Sequence, residues 1–305
     1  MDWTSQIESA ASRIAGYTVE TPVMQSDALW DHPIELKLEQ CQHTGSFKAR
    51  GAFNTLRASD MPAGGVVAAS GGNHGAAVAY AAHKLGHPAQ IFVPEIAGPA
   101  KIALIERTGA NLTVVPGEYA DALDMAKRYE DARGAMQVHA YDAPLTVAGQ
   151  GTLMREWDRQ GLQADTVLIA VGGGGLIAGA LAWTQGARKI VAVEPASCNA
   201  LQAGMQAGEP VDVPVSGVAA NALGARRIGS ICLDLARAQG TAVVTVTDEA
   251  ITEAQHALWQ THRLLVEPAG ATALAALRSG AYRPAPGERV AVLLCGGNIA
   301  PDPLG

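Results

Sequence analysis

The chain has 305 residues, of which 48% are apolar and 17% charged, and a formal net charge of −7. That length suits one large domain or two ordinary ones with full cores, and the composition excludes a disordered chain. The acidic balance leaves no basic footprint for nucleic acid or an anionic membrane, so neither is expected as a partner.

Residues 4–15 have helical spacing, and 17–22 read as an extended entry segment. Residues 34–39 alternate apolar and polar, as a half-buried strand does. Next comes Thr44-Gly45-Ser46-Phe47-Lys48-Ala49-Arg50-Gly51, a Gly-Ser turn ahead of a helix over 52–56. Strands and helices then alternate. Strands are predicted over 65–70, 89–93, 112–115 and 136–139, and helices over 74–85, 99–108 and 118–132. The helix over 99–108 opens on Pro99 and closes at Gly109. Residues 57–143 can therefore form a small α/β unit of their own. The pattern continues with helices over 146–160, 176–185 and 198–207 and strands over 166–171 and 189–193. Residues 211–225 mix loop and helix signals. A strand over 242–247, helices over 248–262 and 268–277, and a last strand over 289–294 complete the reading. Such alternation implies parallel sheet covered by helices on both faces.

Four cysteines, Cys41, Cys198, Cys232 and Cys295, show no paired spacing. They fit a reducing compartment without a disulfide framework or zinc cluster. The start, Met1-Asp2-Trp3-Thr4, carries acid and no basic apolar leader, which points to the cytoplasm. No charge appears over 166–187, but four glycines in the middle argue against a spanning helix.

Thirty-four glycines are about half again the usual share, and many follow apolar runs directly. Three such places have chemical potential beside Lys48. Gly172-Gly173-Gly174-Gly175-Leu176 follows a strand and opens a helix, offering backbone N–H groups to an anion such as phosphate. It lacks the Gly-Lys-Ser/Thr of a P-loop and fits a dinucleotide fingerprint poorly, although Glu194 lies at a strand end about twenty residues on. Ser70-Gly71-Gly72-Asn73-His74-Gly75 combines free N–H groups with a hydroxyl and an amide. It can receive a carboxylate, and Asn73 can reach a phenolic oxygen; equally, Asn73 or Ser70 can simply cap the helix. Cys295, at the end of the last strand, is either a buried small hydrophobe or a weak partner for a heterocyclic nitrogen. Glu194-Pro195 and Glu267-Pro268 place carboxylates at strand ends, at the least as helix-start charges. Lys48 itself, between Phe47 and Ala49, loses hydration, which favours its neutral amine as nucleophile, base or Schiff-base partner of a carbonyl cofactor. The plainer reading is a surface lysine at a helix start. A nucleotide-binding or ligand-sensing protein without chemistry would also use the glycine loops but leaves Lys48 unexplained.

Taken in order, Ser-Phe-Lys-Ala-Arg-Gly (46–51), Ser-Gly-Gly-Asn-His-Gly (70–75), Gly-Gly-Gly-Gly-Leu (172–176) and Cys-Gly-Gly-Asn (295–298) resemble the threonine/serine dehydratase and serine racemase group of pyridoxal-phosphate enzymes. The resemblance covers nearly the whole chain. It implies the tryptophan-synthase-β-like fold (fold type II): α/β, with two open, twisted, mainly parallel sheets and helices on both faces. Residues 1–56 with 144–305 would form the large cofactor-binding domain and 57–143 the small mobile one, which closes over substrate. It further implies pyridoxal 5'-phosphate as cofactor, with Lys48 as its Schiff-base lysine and Phe47 alongside. Asn73 would contact the ring hydroxyl, and Gly172, Gly173, Gly174, Gly175 and Leu176 the phosphate. Glu267 would border the cofactor, and Cys295 stands where the group has Ser or Cys beside the pyridine nitrogen. A thiol there leaves that nitrogen largely unprotonated, a weaker electron sink suited to prompt loss of a β-substituent. Ser70, Gly71, Gly72, Asn73 and His74 would grip the substrate carboxylate.

The implied activity is a dehydratase, or ammonia-lyase, acting on a small L-β-hydroxy amino acid, serine or threonine, as a homodimer. Alternatives are a β-aryl serine, or 3-hydroxyaspartate if Arg226, Arg227 or His139 faces inward. Two departures matter. Racemases of the group carry a serine where this chain has Gly71, which has no proton to give. The group's divalent-metal site pairs a glutamate with an acid six residues on; Glu194 matches and Ala200 does not, so a metal is possible there but lacks its second carboxylate.

Overall fold

The computed structural model describes residues 1–117 and 119–299. Its strands, in chain order, are β1 (Val23–Ser26), β2 (Ile34–Leu38), β3 (Val66–Ala69), β4 (Ala89–Pro94), β5 (Asn111–Val115), β6 (Met136–Gln137), β7 (Thr166–Ala170), β8 (Lys189–Pro195), β9 (Ala242–Val246) and β10 (Val290–Leu294). Among the described residues they form two sheets, ordered β1-β2-β10-β7-β8-β9 and β5-β4-β3-β6. Every neighbouring pair is parallel except β1 and β2. Parallel strands covered on both faces need apolar residues at every position, and β3, β7 and β10 are buried throughout.

The helices are α1 (Trp3–Ile14), α2 (Lys48–Ala58), α3 (Asn73–Leu85), α4 (Pro99–Glu106), α5 (Tyr119–Arg133), α6 (Pro144–Arg159), α7 (Gly175–Thr184), α8 (Ala200–Ala207), α9 (Ala220–Leu223), α10 (Ser230–Ala238), α11 (Asp248–His262) and α12 (Pro268–Arg278). Three helices stack through glycine contacts. A Cβ on Gly149 of α6 would fall 2.7 Å from Gly51 Cα of α2, and one on Gly179 of α7 would fall 2.9 Å from Gly151 Cα of α6. Larger residues would push these axes apart. Ala49, Ala52, Phe53 and Leu56 of α2 join the apolar cluster under the small sheet, with Ile14 and the alanines of α3. The core of the small sheet thus draws on residues upstream of position 57.

The structure differs from the sequence reading in four places. The strand 34–39 is not half-buried: all of β2 is buried, Glu35 and Lys37 included. Lys37 Nζ donates to Thr21 O at 2.8 Å, Glu156 Oε1 at 2.6 Å and Gln160 Oε1 at 2.6 Å, which compensates its burial. The helix after the Gly-Ser turn begins at Lys48 itself, four residues before the expected start. The strand 136–139 is cut to two residues, so that 138–143 crosses from one sheet toward the other. Helix α10 has no counterpart in the reading; no side chain of its own caps it. Glu118, the expected start of α5, lies outside the described residues.

Strand order fixes where a ligand can approach. In the large sheet the chain runs outward from β7 through β8 to β9, then returns to β10 on the other side of β7. The small sheet repeats this with β3, β4 and β5, then β6 beyond β3. At such switch points the loops leaving the carboxyl ends of neighbouring strands diverge and open a crevice.

Candidate active site

Four segments leave the two switch points: 171–175 after β7, 295–298 after β10, 70–74 after β3 and 138–143 after β6. Three of them carry the sequence motifs. Lys48, on the first turn of α2, stands among them.

Lys48 Nζ donates to Ala140 O at 2.8 Å. The backbone around it is pinned to the end of the large sheet: Phe47 N donates to Cys295 O at 3.2 Å, and Gly297 N to Gly45 O at 2.9 Å. Its helix is anchored by a buried charge network. Arg50 gives Nε and Nη2 to Glu39 at 2.9 and 2.7 Å and pairs with Glu156, which also holds Lys37. Lys48 therefore has little freedom of position. Burial lowers its pKa to about 8, and only a thiolate at Cys295 would oppose this. No thiolate forms near neutrality, because burial pushes the Cys295 thiol well above its ordinary value. That thiol lies against Ala269 O, at 3.4 Å.

Asn73 is the first residue of α3 and does not cap it; the N-cap is Gly72. Its amide is fixed from both sides instead. Nδ2 donates to Glu267 Oε1 at 2.6 Å, and Oδ1 accepts from Asn298 Nδ2 at 2.8 Å. Asn298 Nδ2 also reaches Thr44 O at 2.7 Å. The small sheet, the Lys48 turn and the large sheet thus meet in one chain of amides. A Cβ on Gly296 would overlap Glu267 Oε1 and come within 3.4 Å of Asn73 Nδ2, which explains a glycine after Cys295.

Gly174 has φ +91, open to glycine at no cost, and is the N-cap of α7. A side chain anywhere in the run would collide. The Cβ of residue 172 would sit 2.7 Å from Leu223 Cα, that of 173 2.5 Å from Tyr141 Cγ, that of 174 2.5 Å from Cys232 Sγ and that of 175 2.8 Å from Tyr141 Cα. What remains is bare backbone at a helix start, whose first N–H groups have no intrahelical partner.

Ser70 Oγ accepts from Gly72 N at 3.2 Å. His74 is buried, and its Nε2 pairs with Val138 O at 2.8 Å. Burial, helped by the Lys48 charge, lowers its pKa to about 3, so it is a neutral imidazole. Gly71 has no room for a side chain, whose Cβ would overlap Ala97 and lie 2.9 Å from Val93 Cγ1. Glu194 is not placed for a metal. Its oxygens accept from Leu201 N at 2.7 Å and Gln202 N at 2.8 Å, closing the first turn of α8. Among the described residues no group of three or more His, Cys, Asp or Glu could hold a metal ion. Arg227 Nε is engaged by Asp212 at 2.7 Å in an exposed pair. His139 does lie at the site: its Nδ1 accepts from Tyr141 N and Asp142 N at 3.2 and 2.8 Å, and its ring meets Tyr141 edge-on at 4.9 Å. Burial lowers its pKa, against the pull of Asp142. Sequence reasoning did not find Tyr141 or Asp142, and it quoted Asn298 in the last motif without a role; only the strand order, which brings β6 beside β3, shows that 138–143 belongs here.

The donor set suits a phosphorylated heterocyclic aldehyde. It offers an amine of lowered pKa, a protonated thiol, an immobilised amide and a backbone cradle for an anion. Partnerless buried hydroxyls at Thr44 and Ser46 lie on the same turn as the amine. Comparison with known proteins agrees. The family model for "Pyridoxal-phosphate dependent enzyme" matches residues 14–296. A phenylserine dehydratase of Ralstonia pickettii is 35% identical, covering 96% of this chain and 92% of that protein. An L-threonine ammonia-lyase of Geobacter sulfurreducens is 38% identical over 88% of this chain and 67% of its own length. The structure of maize serine racemase superposes with a TM-score of 0.93 at 31% identity, covering 99% of this chain and 95% of that one.

Proposed function

The chain belongs to the pyridoxal-phosphate dependent enzyme family, and from that membership we propose that it is an ammonia-lyase acting on a small L-β-hydroxy amino acid. Threonine or serine would be converted to a 2-oxo acid and ammonia by β-elimination. The observation that carries this reading is Lys48, desolvated to a pKa of about 8 and fixed among four converging segments. When bound, pyridoxal phosphate supplies a carbonyl that condenses with amines and a ring that draws electrons from the substrate Cα. Gly172–Gly175 and Leu176 would hold its phosphate, Asn73 its ring oxygen, and Cys295 its ring nitrogen, with Phe47 and Glu267 bordering it.

The residues themselves perform the rest. Lys48 Nζ takes the Cα proton, and a base of pKa about 8 is matched to that task near neutral pH. His74 is neutral and turned to Val138 O, so its ring brings no charge to the substrate carboxylate. Backbone N–H groups at the start of α3 and the Ser70 hydroxyl receive it instead. The segment at Gly71 has neither a proton donor nor space for one, which favours elimination over racemisation.

A second reading, a β-aryl serine, draws on the edge-to-face pair of His139 and Tyr141, which flanks the acceptor of Lys48. The relative from R. pickettii acts on such a compound by its name. For 3-hydroxyaspartate the sequence offered Arg226, Arg227 or His139 as a counter-ion; burial lowers the His139 pKa and Asp212 holds Arg227, so two of the three are poorly suited to that role. Among the described residues no helix is long and apolar enough to cross a membrane, and the proposal includes a cytoplasmic homodimer; light scattering at the monomer mass would oppose the latter.

The test is turnover of L-threonine, L-serine, phenylserine and 3-hydroxyaspartate by purified protein reconstituted with cofactor, reading 2-oxo acid and ammonia together. One of the first three should be turned over best, and Lys48→Ala should abolish the activity. Absence of 2-oxo acid from all four, or full activity in Lys48→Ala, would overturn the proposal.

A further inference from the structure

Asp142 has no part in the chemistry of the site, yet its side chain holds the start of the helix that packs against the glycine cradle. It lies in the crossing 138–143, between β6 and α6. Its Oδ2 accepts from Ser230 N and its Oδ1 from Ile231 N, both at 3.0 Å. These are the first-turn N–H groups of α10, a helix whose N-cap, Gly229, has no side chain to offer. The cap comes instead from 88 residues earlier in the chain. Gly229 is itself fitted to this contact, since a Cβ there would fall 2.8 Å from Asp142 Oδ1.

The capped turn is the floor of the cradle. A Cβ on Gly174 would meet Cys232 Sγ at 2.5 Å and Ile228 Cδ1 at 2.8 Å, and Gly229 N donates to Gly173 O at 3.1 Å. From the other side the Tyr141 ring lies on Gly173, with its hydroxyl toward Arg227 O at 3.4 Å. Tyr141 therefore touches the loop directly, and its neighbour Asp142 reaches it through the start of α10. Four successive glycines have more conformational freedom to lose than any other run, and ordering them on binding would weaken the hold on an anion. An external restraint on the loop removes that loss beforehand.

Taking Gly172–Gly175 as the phosphate cradle of the function proposed above, we propose that Asp142 is a positioning residue that pre-orders this cradle by capping α10 from the domain crossing. The same crossing supplies Ala140 O to Lys48, so one short segment governs both ends of the cofactor site. Asp142 acts on the phosphate end only.

The experiment compares two ligands on the full-length apoprotein: pyridoxal phosphate, and pyridoxal, which has the aldehyde without the phosphate. Kd for each is read by absorbance titration in wild type, Asp142→Ala and Asp142→Asn. Loss of both charge-assisted hydrogen bonds should raise Kd for pyridoxal phosphate roughly tenfold or more in Asp142→Ala. Asp142→Asn, which keeps the shape and one acceptor, should be intermediate, and it serves alone if the alanine variant does not fold. Kd for pyridoxal should stay within about twofold of wild type in both, since its hold on Lys48 is untouched. Unchanged affinity for pyridoxal phosphate would overturn the proposal, as would an equal loss for both ligands, which marks a general structural role. Wild-type protein that takes up neither ligand would overturn the functional reading instead.

Discussion

The lowered pKa of Lys48 makes a quantitative prediction that needs no substrate. Burial takes it from 10.5 to about 8. At pH 7 a lysine titrating at 10.5 is about 0.03% free amine, and one titrating at 8 is about 9%, a gain of roughly 300-fold in nucleophile. The folded state thus binds fewer protons than the unfolded chain between about pH 8 and 10.5. Lys48 therefore costs stability at and below pH 8, and the cost fades as pH rises through 10.5. Its size is about 3 kcal/mol at most. Competitive trace acetylation of the apoprotein from pH 6 to 10, with peptide mass spectrometry, measures the titration directly, and the exposed Lys84 serves as internal reference. Labelling of Lys48 should climb about tenfold per pH unit and level off above pH 8. Lys48→Met should in parallel raise the unfolding free energy at pH 7 and lose that advantage above pH 10. Labelling that still climbs steeply at pH 10 would refute the reasoning, because the amine would then be hydrated.

Three further outcomes are expected. Burial raises the Glu194 pKa from 4.5 to about 7, so the folded protein binds the extra proton and stability should fall as pH rises between those values, by about 3 kcal/mol from this group. Urea unfolding at several pH values should show that slope in wild type and not in Glu194→Gln; parallel curves would contradict it. Gly173→Ala forces its methyl into the Tyr141 ring and should cost about 1–3 kcal/mol, most of which Tyr141→Ala should restore; strict additivity in the double-mutant cycle would show that the two do not touch. Asn73→Asp sets a carboxylate where an amide now donates to Glu267 at 2.6 Å. It should lower stability by about 2 kcal/mol at pH 7 and less near pH 4, where one of the acids can take a proton. Calorimetric midpoints at the two pH values give the comparison.

The parts legible in the sequence share one property: their physics is local. Apolar runs gave the strands because parallel sheet is buried on both faces. Clusters of glycine after those runs marked the loops because a backbone that must approach a ligand excludes Cβ atoms wherever it occurs. The Lys48 turn, the Asn73 loop, the tetraglycine bend and Cys295 were all visible on that ground. What escaped depends on partners far away in the chain. The alternation of Ile34-Glu35-Leu36-Lys37-Leu38 reads as a half-exposed strand because nothing nearby reveals Glu156, which receives Lys37. Helix α10 lacks a start signal because its cap is Asp142. Asn73 looks like a helix cap until Glu267, 194 residues on, is seen to hold it.

Each glycine loop by itself only permits a ligand to come close; it exerts no preference over where the neighbouring loops stand. Besides the packing of α2 between the small-sheet core and α6, long-range polar contacts bear on the relative placement of the two sheets: Asn73 with Glu267 and Asn298, Lys48 with Ala140, and Asp142 with α10. Each of these joins a residue at or beyond a small-sheet strand end to one on another element, and all but the exposed Asp142–Ser230 bond are part-buried, where an unmade hydrogen bond costs more than at the surface.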